Sequence, residues 1–201
     1  MNKPLLFESI RLSGGNFELI PYHEARMKSA QKFFFGFSDD SFSLTDFLNK
    51  SDFPKEGLFK CRLVYDSTTA NPEYVPYVKR KINSLKTVQS NTIDYQFKSV
   101  DRLQINDLYS NKGNCDDILI VRNGLITDTS YCNIVFRKGS DWVTPENPLL
   151  AGVRRASLLH SGIIQTRRIE LKTLDEFDSF KLINAMIPWE ESALIPVENI
   201  H

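Results

Sequence analysis

Lys98 lies where an extended segment, residues 94–97, is followed by a predicted helix. An amine at the inner end of a strand, near a domain junction, is placed where binding clefts form. Burial there would lower the pKa of the amine and allow it to attack a carbonyl carbon as a Schiff-base nucleophile. The alternative is a solvent-exposed surface lysine, which is the commoner situation for this residue type.

A second candidate is the carboxylate of Asp128, which follows a predicted hairpin and lies among small polar residues shortly before Asn133. In one interpretation it is a hydrogen-bond acceptor held in an otherwise apolar sheet. In the other, the same residues form an Asx turn or cap the end of a strand.

Two segments have the chemistry to bind a phosphate. Gly152, Val153 and Arg154 begin a predicted helix, where free N–H groups and the helix dipole attract anions. Arg26, three residues after His23 on the first predicted helix, has a guanidinium that could hold a phosphate. The alternative for the helix start is that it binds only water or a capping side chain. The alternative for Arg26 is a position on the solvated edge of its helix.

Strands with helical cover are predicted to position the residues of the first half. Residues 5–12 and 16–20 read as a hairpin around Gly14 and Gly15, and residues 58–65 alternate as a half-buried strand. Helical spacing runs from Tyr22 to a stop at Gly36, and the further predicted elements are a helical stretch over 44–48 and an extended run over 75–78.

The sequence of the second half predicts mostly β-sheet, with one helix at residues 99–109 and another at residues 153–160. The strands expected there are residues 117–122, 125–128, 133–137, 142–144, 181–184 and 193–197. Asn123-Gly124 is the strongest hairpin signal. Residues 86–94 show no clear periodicity, so two domains are predicted, 1–90 and 91–201, with Lys98 on the second.

Composition and charge exclude several classes of function. The chain has 25 basic and 25 acidic residues, so no net field attracts nucleic acid or an anionic membrane. No apolar run is long enough to span a bilayer, and the first residues lack the core of a signal peptide, so we expect a cytoplasmic protein. Three scattered cysteines and three histidines predict reduced thiols and no metal site.

Five motifs occur in an order and spacing that resemble the class IV, fold-type IV pyridoxal-phosphate enzymes. This family of enzymes includes branched-chain and D-amino-acid aminotransferases and aminodeoxychorismate lyase. The motifs are Phe7-Glu8-Ser9-Ile10-Arg11, His23-Glu24-Ala25-Arg26, Lys98-Ser99-Val100-Asp101-Arg102, the segment from Thr127-Asp128 to Asn133-Ile134-Val135-Phe136, and Thr144-Pro145 with Leu149 to Arg155.

This resemblance implies an α+β fold with a small N-terminal α/β domain, a larger C-terminal pseudo-barrel domain, and a homodimer. It makes pyridoxal 5′-phosphate the cofactor and Lys98 the amine that bonds to it and transfers protons. By the same resemblance, Asp128 holds the pyridine nitrogen protonated, while Arg26, Gly152, Val153 and Arg154 hold the phosphate. Asn184 falls where the family brings a strand end near that phosphate.

The chain departs from the family pattern in three places. Asp128 stands where glutamate is usual, which shortens the carboxylate by one methylene, and Ser9 replaces a threonine. The segment that precedes the first motif in relatives is missing, so this is expected to be a shortened member. Because that region helps to form the substrate pocket, the cofactor is better defined by the resemblance than the substrate.

Among the activities of the family, Asn184-Ala185-Met186-Ile187-Pro188 and Asp101-Arg102 are more similar to the lyase, which releases pyruvate and leaves 4-aminobenzoate for folate biosynthesis. Ser9 could pass a proton to the leaving group or simply bond to neighbouring backbone. The alternative is an aminotransferase of D- or branched-chain amino acids, in which Arg62 binds a substrate carboxylate or forms only a surface pair. A non-catalytic paralogue that binds the cofactor and a plain interaction domain are the other possibilities.

Overall fold

The computed structural model describes residues 4–37 and 41–201, so the first three residues of the predicted N-terminal domain lie outside it. Contacts divide the chain into two units, Met1–Lys79 with Phe97–Asp101, and Arg80–Gln96 with Arg102–His201. This division differs from a split after residue 90, since it assigns residues 80–90 to the second unit and Lys98 to the first. The split at residue 90 stays a prediction, and each unit is described separately.

The first unit contains a four-stranded antiparallel sheet with the order β2-β1-β3-β4. Its strands are β1 (Leu6–Ser13), β2 (Asn16–Phe17), β3 (Leu58–Tyr65) and β4 (Ala70–Pro76). Gly14 and Gly15 form the turn between β1 and β2 with φ values of 53° and 79°, which glycine adopts without steric cost. The return strand is shorter than predicted because Leu19 takes a left-handed φ of 57° and a helix begins at the next residue.

Two helices, α1 (Ile20–Phe35) and α2 (Leu44–Asn49), belong to this unit. α1 starts earlier than the pattern predicts, with a proline in its first turn, where no intrahelical N–H bond is lost. It ends at Gly36, whose left-handed φ of 78° directs its N–H to the carbonyl of Lys32. Buried side chains from both helices and the sheet form one core: Leu6, Ile10, Met27, Ala30, Leu44, Leu48, Cys61, Leu63 and Tyr65.

The segment Phe97–Asp101 extends this sheet along the free edge of β1. The N–H of Phe7 donates to the carbonyl of Lys98, and the N–H of Val100 donates to the carbonyl of Leu5, both at 2.9 Å. Because side chains alternate along a strand, Lys98 shares a sheet face with Phe7 and Ser9, while Leu6, Glu8 and Ile10 face the other way. The helix predicted from residue 99 therefore begins only after this extended segment.

The second unit contains an eight-stranded sheet with six strands in the order β10-β9-β8-β7-β6-β5. The other two strands branch from this path, since β11 pairs with β8 and β12 pairs with β11. Its strands are β5 (Leu85–Gln89), β6 (Asp117–Arg122), β7 (Leu125–Thr129), β8 (Asn133–Lys138), β9 (Asp141–Pro145), β10 (Gln165–Arg167), β11 (Ser179–Ile183) and β12 (Ile195–Pro196). The pairs β5·β6 and β9·β10 are parallel and the other pairs are antiparallel.

Helices α3 (Leu103–Tyr109) and α4 (Val153–His160) complete this unit, together with 3-10 turns at Ser110–Lys112, Leu171–Glu176 and Val197–Asn199. The largest apolar cluster lies among its strands and includes the fully buried Phe136 and Phe180, which are paired between β8 and β11. Strand β5, where no periodicity was visible, pairs in parallel with β6. Within the described residues, no helix is long and apolar enough to cross a bilayer.

Candidate active site

A buried ionic cluster joins β1 to α1 in the first unit. Glu8 and His23 are both completely inaccessible to solvent, and the Arg26 side chain is 14% exposed. The Nδ1 atom of His23 lies 2.7 Å from Oε2 of Glu8. Arg26 donates from Nε to Oε1 at 2.9 Å and from Nη2 to Oε2. A guanidinium held by two bonds to one carboxylate has a fixed plane, so this cluster fixes the direction of Arg26.

The charges of this cluster follow from its burial and its contacts. Burial alone would raise the pKa of Glu8, but the charge of Arg26 and the hydrogen bonds from His23 and Arg26 lower it to about 2. Burial lowers the pKa of His23, and the nearby charges of Arg26 and Lys98 lower it further, against the opposing effect of Glu8. His23 is therefore neutral near pH 7, and its Nδ1–H donates to the carboxylate. Its Nε2 is buried and has no hydrogen-bond partner within the described residues.

Replacing Glu8 by glutamine is expected to lower the free energy of unfolding by about 3–5 kcal/mol near pH 7, because the largely buried guanidinium of Arg26 loses its counter-ion. The folded-state pKa of Glu8 is lowered to about 2, so its stabilising contribution is complete above the unfolded pKa and is lost as the pH falls through 2. Urea unfolding of both proteins between pH 2 and 7 checks this. A difference that does not shrink at low pH would contradict the ionised state of Glu8.

Lys98 lies beside an aromatic ring on the opposite face of the same sheet. Its Nζ is 4.5 Å from the centre of the Phe7 ring, and Arg62 lies over that ring at 5.1 Å. Ser9 is the register partner of Arg62 on β3. Lys98 and Ser9 are half-buried. The Lys98 amine, the Arg62 guanidinium and the Ser9 hydroxyl therefore lie on the same sheet face as the apolar Phe7 ring.

In the second unit, Asp128 is buried and both of its oxygens accept hydrogen bonds. Asn133 donates from Nδ2 to Oδ1 at 2.8 Å, and the N–H of Leu150 donates to Oδ2 at 2.9 Å. Burial raises the pKa of Asp128 to about 6 although these bonds and the charge of Arg155 act in the opposite direction. A cationic or N–H group brought to this carboxylate would favour its ionised form.

Asn133 and Gly152 lie in very close contact beside Asp128. Nδ2 of Asn133 also donates to the carbonyl of Leu150 at 2.9 Å. A Cβ atom on Gly152 would lie 1.9 Å from Oδ1 of Asn133. The backbone of Gly152 has φ −70° and ψ 139°, which any residue adopts, so the close approach and not the backbone conformation requires glycine here.

The Gly152→Ala variant is expected to lose about 1–3 kcal/mol of stability, since the new methyl group must displace the Asn133 side chain from its two acceptors. The loss is measured by urea unfolding. In the Asn133→Ala background the clashing atoms are gone, so Gly152→Ala should cost much less there. Equal losses in both backgrounds would show that the Asn133 contact is not the reason for the glycine.

Helix α4 begins directly after its N-cap residue, Gly152. No side chain caps this end, and the first turn contains no acidic residue. The first helical hydrogen bond runs from the N–H of Ala156 to the carbonyl of Gly152, so the N–H groups of Val153 and Arg154 precede the helical ladder. Arg155 in the same turn is buried and donates to the carbonyl of Pro145 at 2.8 Å.

Asn184, at the end of β11, bonds within its own unit. Its Nδ2 lies 3.1 Å from Sγ of Cys132, and its Oδ1 accepts the N–H of Met186 at 2.8 Å. These contacts hold the start of the 184–188 segment. They give Asn184 a structural function, while a contact with a phosphate stays a prediction.

The predicted residues thus fall into two groups. The first unit carries Ser9, Arg26, Arg62 and Lys98, and the second carries Asp128, Gly152, Val153, Arg154 and Asn184. Sequence reasoning assigned no role to Glu8, His23, Asn133 or Arg155. A usable signal existed for Glu8, which is an acid at a core-facing position between Leu6 and Ile10.

Comparison with known proteins identifies the family. The model of class IV amino-transferases matches residues 5–191. The chain belongs to this family. An uncharacterised protein of Haemophilus influenzae is 35% identical over 182 residues, which are 90% of this chain and 97% of that protein.

Two solved structures resemble the chain over most of its length. A candidate 4-amino-4-deoxychorismate lyase from Haemophilus somnus is 34% identical, with a TM-score of 0.86 over 92% of this chain and 98% of that one. A candidate amino-acid aminotransferase from Mesorhizobium loti is 22% identical, with a TM-score of 0.74 over 96% and 97%, and shows the fold alone.

These findings confirm the predicted family, its fold-type IV α+β architecture and the predicted class of pyridoxal-phosphate-dependent enzyme. The functions assigned above to individual residues stay predictions.

Proposed function

We propose that this chain is a pyridoxal-phosphate-dependent lyase that releases pyruvate from 4-amino-4-deoxychorismate and leaves 4-aminobenzoate, a reaction of folate biosynthesis. The observation that carries the proposal is the 34% identity to a candidate lyase of this kind over nearly the full length of both chains. The segment Asn184-Ala185-Met186-Ile187-Pro188, which resembles that of the lyases, supports the same choice.

The residues present fit the cofactor at each of its three ends. A phosphate suits the uncapped start of α4 and the Arg26 guanidinium. An aldehyde suits the Lys98 amine beside Phe7. A pyridinium N–H suits Asp128, because a carboxylate has about four lone-pair sites and can accept a further bond beside those from Asn133 and the N–H of Leu150.

When bound, pyridoxal phosphate supplies an electron sink for the pair of electrons left on a substrate carbon. In the proposed reaction Lys98 removes the proton from the ring carbon that bears the amino group. The bond between the ring and the enolpyruvyl oxygen breaks, the ring becomes aromatic, and the leaving group takes up a proton to become pyruvate. Aromatisation favours this elimination, so the protein needs a positioned base more than a strong one.

The other residues bind and orient in this mechanism. Ser9, one residue along β1 from Glu8 and on the Lys98 face of the sheet, would give the proton to the leaving pyruvate. Arg62 would bind a substrate carboxylate, since a guanidinium matches its two oxygens. The N–H groups of Val153 and Arg154, with Gly152 allowing close approach and Asn184 nearby, would hold the phosphate. Asp128 would keep the ring nitrogen protonated.

The proposal is tested by incubating the cofactor-loaded protein with aminodeoxychorismate and measuring pyruvate with a coupled lactate dehydrogenase assay. We expect pyruvate and 4-aminobenzoate in equal amounts, without any added amino acceptor. Absence of pyruvate, together with conversion of the bound cofactor to pyridoxamine phosphate by D- or branched-chain amino acids, would contradict the lyase and support the aminotransferase.

The aminotransferase is the second candidate because the matching family model is that of class IV amino-transferases. Failure of both reactions in a protein that still binds pyridoxal phosphate would instead identify a non-catalytic paralogue.

We also propose a homodimer, as the family resemblance implies, and a cytoplasmic location. The composition does not show the dimer. Light scattering at micromolar protein should give a mass of about twice the 23.1 kDa of one chain, and a monomer would contradict the dimer.

A further inference from the structure

The buried carboxylate of Glu8 has no function in the reaction described above. Placing an ion in a core is costly unless its partners are well arranged. Three hydrogen-bond contacts to Glu8 come from two side chains, Arg26 and His23.

We propose that Glu8 and His23 are positioning residues that direct the Arg26 guanidinium toward the cofactor phosphate. This inference rests on the proposed function, in which Arg26 binds that phosphate.

The geometry of the pair carries this inference. Glu8 accepts the Nε and Nη2 edge of Arg26, so the Nη1 side of the guanidinium is turned away from the carboxylate. A bidentate pair fixes both the plane and the rotation of the guanidinium, which a lysine or a singly bonded arginine cannot achieve. A phosphate that binds this guanidinium would find its plane already fixed, without the entropy cost of ordering a long side chain.

His23 holds the carboxylate itself. Its Nδ1 lies 2.7 Å from Oε2, the oxygen that also accepts from Nη2 of Arg26. The imidazole is on α1, three residues before Arg26, so both partners of Glu8 lie on the same side of that helix. Rotation of the carboxylate about its side-chain bonds would break all three contacts together.

The charge of Glu8 does not itself favour phosphate binding by Arg26. A carboxylate beside Arg26 cancels part of the positive charge that a phosphate would experience. If charge alone mattered, removal of Glu8 would strengthen phosphate binding. The inference predicts the opposite result, because orientation is lost.

The test uses two ligands that differ only in the phosphate and cannot bond covalently to Lys98, pyridoxine 5′-phosphate and pyridoxine. Their affinities for the apoprotein are measured by fluorescence titration, and the ratio of the two isolates the phosphate. We expect Arg26→Ala to lower this ratio by roughly ten- to hundredfold and Glu8→Gln by about tenfold, the range of one charge-assisted hydrogen bond. Glu24→Gln, on the same helix but bonded to Lys28, is the matched control and should leave the ratio unchanged.

A double-mutant cycle separates positioning from a general structural defect. If Glu8 acts through Arg26, Glu8→Gln will have almost no effect on the ratio in the Arg26→Ala background. The same tenfold loss in both backgrounds, an unchanged ratio, or a higher ratio in Glu8→Gln would overturn the inference. If the wild-type protein binds both ligands equally, the phosphate site itself is wrong, and the proposed function fails with it.

A measurement on the unmodified protein covers the case in which Glu8→Gln does not fold. In protein labelled with 15N-arginine, the Nε–H signal of Arg26 should be protected from exchange in the apoprotein and stay so after pyridoxine 5′-phosphate is added, because the bond to Glu8 persists. Loss of that protection on binding would show that Arg26 leaves Glu8 to reach the phosphate, and would overturn the inference.

Discussion

Replacement of Lys98 by alanine will reduce turnover to the background rate, whichever of the two proposed reactions the protein catalyses. The amine is both the group that bonds to the cofactor and the base that moves the substrate proton, so no residual route retains either step. Pyruvate release and aminotransfer are measured with the variant in the presence of excess pyridoxal phosphate. The visible absorbance of the protein-bound cofactor should disappear in the same variant.

Two controls make this result specific to the amine. Lys98→Arg keeps a positive charge beside the Phe7 ring but has no nucleophilic amine, so it should be as inactive as Lys98→Ala. Lys86→Ala removes an exposed lysine from β5 and should leave the activity unchanged. Turnover above background in both Lys98 variants would remove this residue from the mechanism.

The Asp128→Asn variant should retain the cofactor but lose most of its turnover. A neutral amide cannot stabilise a protonated pyridine nitrogen, so the ring becomes a poor electron sink. Asn133 and the N–H of Leu150 donate to different oxygens of Asp128, and one of these oxygens becomes an NH2 group in asparagine, so one bond is lost. We therefore also expect a loss of stability of about 1–3 kcal/mol, measured by urea unfolding alongside the pyruvate assay.

Asp117→Asn is the matched control, because Asp117 is also a fully buried acid of the second unit and burial likewise raises its pKa. It should lose stability without a comparable loss of turnover per folded molecule. Asp128→Glu restores the residue usual in the family and should keep the turnover, since the carboxylate is retained. Normal turnover in Asp128→Asn would show that this carboxylate has no function in the reaction.

Elements that are defined by short-range sequence patterns were predicted with the correct bounds or turn. Strand β3 and helix α4 have the predicted bounds, residues 58–65 and 153–160, because regular alternation defines the first and Gly152 marks the start of the second. Asn123 and Gly124 form the expected hairpin turn with φ values of 52° and 76°. Strand β5 could not be found in this way, since its partner β6 is about thirty residues further along the chain.

The residue types of the candidate site were predictable from the motifs, but their contacts were not. Arg26 was expected to bind a phosphate, and no local pattern indicated that two of its nitrogens bond to Glu8, eighteen residues earlier. Asp128 was expected at the pyridine nitrogen, whereas its bond from the N–H of Leu150 depends on how the segment before α4 returns to β7. Such contacts depend on tertiary packing, which a short motif does not encode.

Attachment of the cofactor to Lys98 can be measured by reducing the pyridoxal-phosphate-loaded protein with sodium borohydride and locating the modified residue by peptide mass spectrometry. Reduction makes the bond between the amine and the cofactor permanent, so the modified lysine reports where the cofactor was held. We expect one phosphopyridoxyl group per chain, on Lys98. Modification of a different lysine, or no stoichiometric modification, would contradict it.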